Sequence, residues 1–163
     1  MKRLILIRHA KSDWSNLQQK DFDRELNSRG LRDAPMMGNR LAKRELGIDL
    51  LLSSTAKRTE QTSKMIAKEL AFPFEKILWT DKLYHAPAAI IEDVILEIED
   101  DFNCIVVVCH NNGITDFINQ LAGNIIDNLP TCGMVGFDIE SDTWRDLSMA
   151  KKKLLFYDYP KNL

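Results

Sequence analysis

The chain has 163 residues, 45% of them hydrophobic, which suits one core and is too little for two full-sized domains, so residues 1–163 are expected to form a single domain. With 22 Lys and Arg against 24 Asp and Glu, the formal net charge is -2, which excludes a nucleic-acid or anionic-membrane surface held by bulk charge and leaves any anion to a local cluster. No run reaches the length of a membrane span, and the apolar opening lacks the length and cleavage site of a signal peptide, so a cytoplasmic setting is expected.

In chain order, the aliphatic run Lys2 to Ile7 reads as a strand buried on both faces of a parallel sheet. Asn27 and Ser28 offer a helix cap, and Leu31, Ala34, Met37, Leu41 and Ala42 then recur at helical spacing, predicting a helix over 29–46 that stops at Gly47. Asp49 to Ser53 is a second strand. From Thr55 the pattern turns helical again, with Thr59, Thr62, Ile66 and Leu70 on one face. Lys76 to Thr80 reads as a third strand, and Pro87 opens a helix striped by Ile90, Ile91, Val94, Ile95 and Ile98. The unbroken run Cys104 to Cys109 is the clearest strand, followed by a helix carrying Ile114, Phe117, Ile118 and Leu121. Met134 to Ile139 and Leu154 to Tyr157 complete the set, joined by a hairpin-like turn near Ser141 and Asp142. This alternation of strands and helices predicts an α/β fold.

Cys104, Cys109 and Cys132 are odd in number and form no Cys-x-x-Cys pair, so neither a disulfide framework nor a thiolate zinc site is indicated. Strand alternation points Cys104 and Cys109 to opposite faces. Trp14 and Trp144 are expected in the core, and Lys151 to Lys153 in a solvated turn or protected edge.

Arg8 and His9 follow the first strand, Arg58 falls in the first helical turn after the second, and His110 follows the Cys104 to Cys109 strand. In open parallel sheets the carboxyl ends of the strands line the ligand crevice, so topology gathers these four residues. Phosphoryl oxygens carry spread negative charge that guanidinium groups match in shape and sign, which suits Arg8 and Arg58. A neutral imidazole oriented through its other nitrogen can attack phosphorus, and a second can donate to the transferred oxygens. Spacing does not settle which histidine attacks. Lys11 and Lys57 flank the expected pocket.

Arg8-His9-Ala10-Lys11-Ser12 resembles the opening signature of the histidine phosphatase superfamily, in the form found in small SixA-like phosphohistidine phosphatases. Asp23 to Gly30, the Ser54, Arg58 and Thr62 block, and Val108-Cys109-His110-Asn111 resemble its later blocks in the same order. The resemblance implies a three-layer α/β/α sandwich with a mainly parallel central sheet, like that of phosphoglycerate mutase. It also implies a phosphatase working through a phosphohistidine intermediate, with His9 as nucleophile, Arg8 and Arg58 on the phosphoryl group, and His110 completing the pocket. Ser12 matches a position near the phosphate and is expected to donate a hydrogen bond. Where many members carry a Glu two residues after a Leu as general acid, this chain reads Leu83-Tyr84-His85, which makes His85 the candidate acid or else an idle, solvated side chain.

The implied substrate is a phosphorylated protein, for instance a histidine-phosphotransfer domain. A small-molecule phosphate monoesterase or a phosphoglycerate mutase-like enzyme is the alternative, and a non-catalytic phosphate-binding module the reading from another class. A cysteine phosphatase is excluded, since Cys104, Cys109 and Cys132 meet His110, Thr115 and Asp138 six positions on instead of Arg. The P-loop pattern is absent, and three histidines without paired carboxylates at helical spacing do not suggest a metal centre. No metal and no organic cofactor is expected.

Overall fold

The computed structural model describes residues 1–163. It has six strands, β1 (Lys2–Arg8), β2 (Leu50–Ser53), β3 (Leu78–Trp79), β4 (Cys104–Cys109), β5 (Met134–Ile139) and β6 (Lys152–Asp158), in one mixed sheet of order β3-β2-β4-β1-β5-β6. β3, β2, β4 and β1 pair in parallel, whereas β1 with β5 and β5 with β6 are antiparallel. Four helices accompany them: α1 (Ser28–Ala42), α2 (Lys57–Glu69), α3 (Ala88–Leu96) and α4 (Gly113–Ala122). None is long and apolar enough to cross a membrane.

Side-chain alternation along the strands divides the core in two. Ile5, Ile7, Leu51, Val106 and Val108 meet Ala34, Met37, Leu41 and Ile66 of α1 and α2 on one face. Leu4, Leu6, Leu50, Ile105 and Val107 meet Ile91, Ile95, Phe117 and Ile118 of α3 and α4 on the other. Each fully buried aliphatic side chain contributes about 1.5–3 kcal/mol, so a central strand buried along its whole length, as β4 is, anchors both halves. Cys104 and Cys109 fall on opposite faces as strand parity requires, and burial pushes both thiols up to about 12.

Asn27 caps α1 as expected, its side chain accepting from the Gly30 amide at 2.9 Å. The helix stops four residues short of the predicted end, at Ala42. Arg44 and Glu45 bond back to Leu41 and Ala42 in a tightened turn, and Glu45 and Gly47 take positive φ. The third strand is also shorter than predicted: Phe74–Lys76 forms a 3-10 turn, leaving Leu78 and Trp79 to pair with the last two residues of β2. Residues 140–151 are not a tight hairpin. A 3-10 turn there buries Trp144, whose indole Nε1 donates to the Phe102 carbonyl at 2.8 Å. Trp14 overturns its expectation: it is 61% exposed, because its polar loop supplies no apolar partner, and the Arg24 guanidinium lies 3.6 Å above its ring.

Candidate active site

The register of three parallel strands builds the site. Arg8 pairs with Cys109 and Ser53 with Val108, so β1, β4 and β2 leave the sheet at one level, and the next residues are His9, His110 and Ser54. The His9 amide donates to the Cys109 carbonyl at 3.2 Å, and the two imidazole centroids lie 5.3 Å apart. The first turn of α2 supplies Arg58. One turn on, the Thr62 hydroxyl accepts from the Ala10 amide at 3.0 Å and donates to the Arg58 carbonyl at 2.7 Å, tying the helix to the loop after β1.

A pocket of about 210 Å³ opens above these strand ends. Arg8, His9, Arg58 and His110 line it, as do Ser12 and His85, so all six predicted residues meet in one place. Lys11 lines it too. Lys57 does not, and pairs with Glu60 at 3.5 Å.

His9 Nδ1 lies 2.7 Å from the Ala10 carbonyl, an oxygen that only accepts, so the proton sits on Nδ1 and the lone pair on Nε2. Burial, opposed by this bond but joined by the charges of Arg58, Arg8 and Arg24, pushes the imidazole down to about 3 and keeps it neutral. His110 falls to about 2, through burial first, with the positive charge of Arg58 adding to it. Its Nε2 meets the Ser54 hydroxyl at 2.8 Å, a partner able to donate or accept. Three buried nitrogens of the quartet have no protein partner: Arg8 Nε, Arg58 Nε and His110 Nδ1. Unpaired buried polar groups cost about 1–3 kcal/mol each, and concentrated around one pocket they suit an anion.

Sequence reasoning missed the carboxylate here. Asp21, in the loop before α1, accepts from Arg58 Nη2 at 3.0 Å, Arg24 Nη2 at 2.7 Å and the Tyr84 hydroxyl at 2.5 Å, with His85 Nε2 at 2.8 Å. Burial pulls its pKa up, but the bonds from Tyr84, Arg24 and His85 and the charge of Arg58 outweigh it and hold the carboxyl below its usual range. His85 is half-exposed, with its Nε2 held against Asp21. Its φ of 49° is in the left-handed region, at an order-of-magnitude cost of about 1–3 kcal/mol, and its imidazole faces Asp21 and lies 5.3 Å from His110. Ser12 accepts from Arg24 Nη1 at 2.8 Å. Arg24 and Thr131 also line the pocket without having been singled out, and nothing in their local sequence marks them.

Two glycines set the spacing. A Cβ on Gly30 would stand 2.2 Å from the Lys11 carbonyl oxygen, and one on Gly113 would stand 1.9 Å from that of Ala86. The start of α1 thus lies directly against the loop after His9, and the start of α4 against the loop that carries His85.

The family model of the histidine phosphatase superfamily (branch 1) matches residues 4–79. An uncharacterised chloroplastic protein of Arabidopsis thaliana is 28% identical over 153 residues, covering 89% of this chain and 70% of that one. A 2,3-bisphosphoglycerate-dependent phosphoglycerate mutase of Beijerinckia indica is 35% identical over 72 residues, covering 43% of this chain and 35% of its own length. The crystal structure of the proposed phosphohistidine phosphatase SixA from Agrobacterium tumefaciens superposes with a TM-score of 0.84 at 25% identity, covering 98% of both chains. Over residues 4–79 the chain is thus similar to the histidine phosphatase superfamily, and its fold as a whole is similar to that of the SixA structure.

Proposed function

We propose that this protein removes the phosphoryl group from phosphohistidine on a protein substrate, through a phosphohistidine of its own at His9 and without a metal. The observation that carries the reading is the tautomer of His9, whose Nδ1–H is committed to the Ala10 carbonyl while Nε2 keeps its lone pair beside two arginines. His9 Nε2 forms a bond to phosphorus as the P–N bond of the substrate breaks, and the substrate ring, already protonated on its other nitrogen, takes the bonding pair and leaves as neutral imidazole. Water then attacks the phosphorus, phosphate departs, and His9 returns neutral. Arg8, Arg58 and His110 donate to the phosphoryl oxygens in both steps. Residues 1–163 act as one catalytic domain, a three-layer arrangement on a mainly parallel sheet, a reading supported by the helix pairs on the two sheet faces and the four adjacent parallel strands. Three free, buried cysteines suit a reducing compartment such as the cytoplasm.

Only residues 80–87 separate β3 from α3, so no long segment between them roofs the pocket, which favours a phosphoryl group carried on a protein. A second reading, a small phosphate ester as substrate, is favoured by the Asp21 and His85 pair, because an alkoxide leaving group needs a proton donor. The deciding experiment compares kcat/KM for a phosphorylated histidine-phosphotransfer domain with that for 3-phosphoglycerate and sugar phosphates, with and without EDTA. Preference for the phosphoprotein, unaffected by chelation, is the expected result. Preference for one ester overturns the substrate, and loss of activity on chelation, restored by a divalent ion, overturns the metal-free mechanism.

A further inference from the structure

A second, larger cavity of about 420 Å³ adjoins the phosphoryl pocket. One wall is a face of α1, where Arg29, Arg32, Asp33 and Met36 recur at helical spacing. The opposite wall is the segment Tyr159 to Lys161, held in place by Arg40, whose Nη1 donates to Asp158 Oδ1 at 3.1 Å and to the carbonyls of Tyr159 at 3.1 Å and Asn162 at 2.9 Å. Thr131 lines this cavity and the phosphoryl pocket alike, and Arg29 Nη2 donates to its hydroxyl at 3.3 Å.

The charge here runs against that of the whole chain. Asp33, 2% exposed, is the one carboxylate of the lining, and it faces the guanidinium groups of Arg29 at 3.7 Å and Arg32 at 3.1 Å. Each guanidinium has five N–H donors, so one buried carboxylate orients the two and leaves donors free. Lys161 adds a third cation with no carboxylate partner, and the Tyr159 hydroxyl makes no protein hydrogen bond. The cavity carries a net formal charge of about +2 on a chain of net charge -2.

We infer that this cavity is an anion subsite that takes an acidic side chain flanking the phosphohistidine of the substrate protein. The inference rests on the phosphoprotein reading above. The second anionic group of a small ester shares the same chemistry, and the test separates the two sources.

In the first arm, the isotope-labelled full chain is titrated with an unphosphorylated tetraglutamate peptide and, separately, with succinate, followed by NMR. The peptide should shift the amides of Arg29, Arg32, Thr131, Tyr159 and Lys161. The double variant Arg32→Ala, Lys161→Ala should weaken its binding about three- to tenfold, as expected for the loss of two exposed charge pairs. In the second arm, kcat/KM is measured on two phosphohistidine peptides that differ only in a flanking Glu or Gln. The wild type should prefer the Glu peptide through KM, and the double variant should lose that preference.

Shifts confined to other surfaces, or equal losses by the double variant on both peptides, overturn the subsite. Succinate binding as tightly as the peptide overturns the peptide source in favour of a small ester. If neither phosphohistidine peptide is turned over while small esters are, the phosphoprotein reading fails by itself, and the NMR titration still decides whether the cavity binds acidic groups.

Discussion

Arg58 donates two hydrogen bonds to a single residue, Asp21: Nη2 to the carboxylate at 3.0 Å and Nη1 to the backbone carbonyl at 2.8 Å. The guanidinium assigned to the phosphoryl group is therefore already engaged by an anion of the protein itself. A phosphoryl dianion has to compete with Asp21 for Arg58, or share it. Either way a second negative charge beside Asp21 raises the carboxyl pKa, against the bonds that hold it low in the free site.

Replacing Asp21 by Asn should therefore strengthen the binding of tungstate, a phosphate-shaped anion, by several-fold, because Arg58 loses its competing charge. The same change should slow hydrolysis of esters. Titration of the variant with tungstate checks the first point. Weaker binding would mean that Asp21 orients Arg58 instead of competing for it.

The His9 tautomer predicts where the phosphoryl group is trapped. Rapid quench followed by peptide mapping should find an acid-labile, base-stable phosphate on the Nε2 of His9, and His9→Ala should lose several orders of magnitude in turnover with the fold intact. A label on Nδ1, or on His110, would assign the roles differently.

Both pocket histidines are held neutral, at about 3 for His9 and about 2 for His110, against about 6.5 in the unfolded chain. Below pH 6.5 the unfolded chain takes up protons that the native state refuses, so stability is fully present above that pH and is lost as the pH falls toward 3. The slope approaches about 1.4 kcal/mol per pH unit for each histidine. Asp21 adds its own loss only below about pH 4, since its native pKa lies under the unfolded carboxyl value. Urea unfolding at pH 7 and pH 4.5 should show a smaller drop for His110→Gln than for the wild type. Equal drops would contradict the assignment.

His85→Ala should cost phosphate esters more kcat than phosphoramidates, because a protonated imidazole leaves without further help whereas an alkoxide does not. An equal effect on both substrate classes would give His85 a packing role beside Tyr84, whose ring centroid is 4.3 Å away.

Gly113→Ala should destabilise the protein by about 1–3 kcal/mol, since a rigid carbonyl blocks the added methyl and the His85 loop must shift. Gly38→Ala, whose nearest contacts lie at 3.1 Å and include the side chain of Glu69, should cost less. Urea unfolding of the two variants tests the contrast, and a similar cost for both would remove it.

The main elements and four of the pocket residues were legible along the chain because their causes are local. The β-branched run Cys104 to Cys109 has to be strand, the Asn27 cap has to start a helix, and residues that end adjacent parallel strands have to share an edge. Helix and strand ends were less legible, since the tightened turn after Ala42 and the two-residue β3 depend on what each segment meets.

Asp21, Arg24 and Thr131 were not legible at all. They lie in irregular segments where no periodicity says which way a side chain points, and only the packed molecule carries them to His9 and Arg58. The same holds for Trp14, which sequence composition assigns to the core and which the fold leaves on the pocket rim with Arg24. Sequence alone determined the chemical types present and the sheet edge that gathers them. The tertiary structure decided the His9 tautomer and the carboxylate facing Arg58, because hydrogen bonds between segments distant along the chain exist only once strand register and helix packing have set their distances.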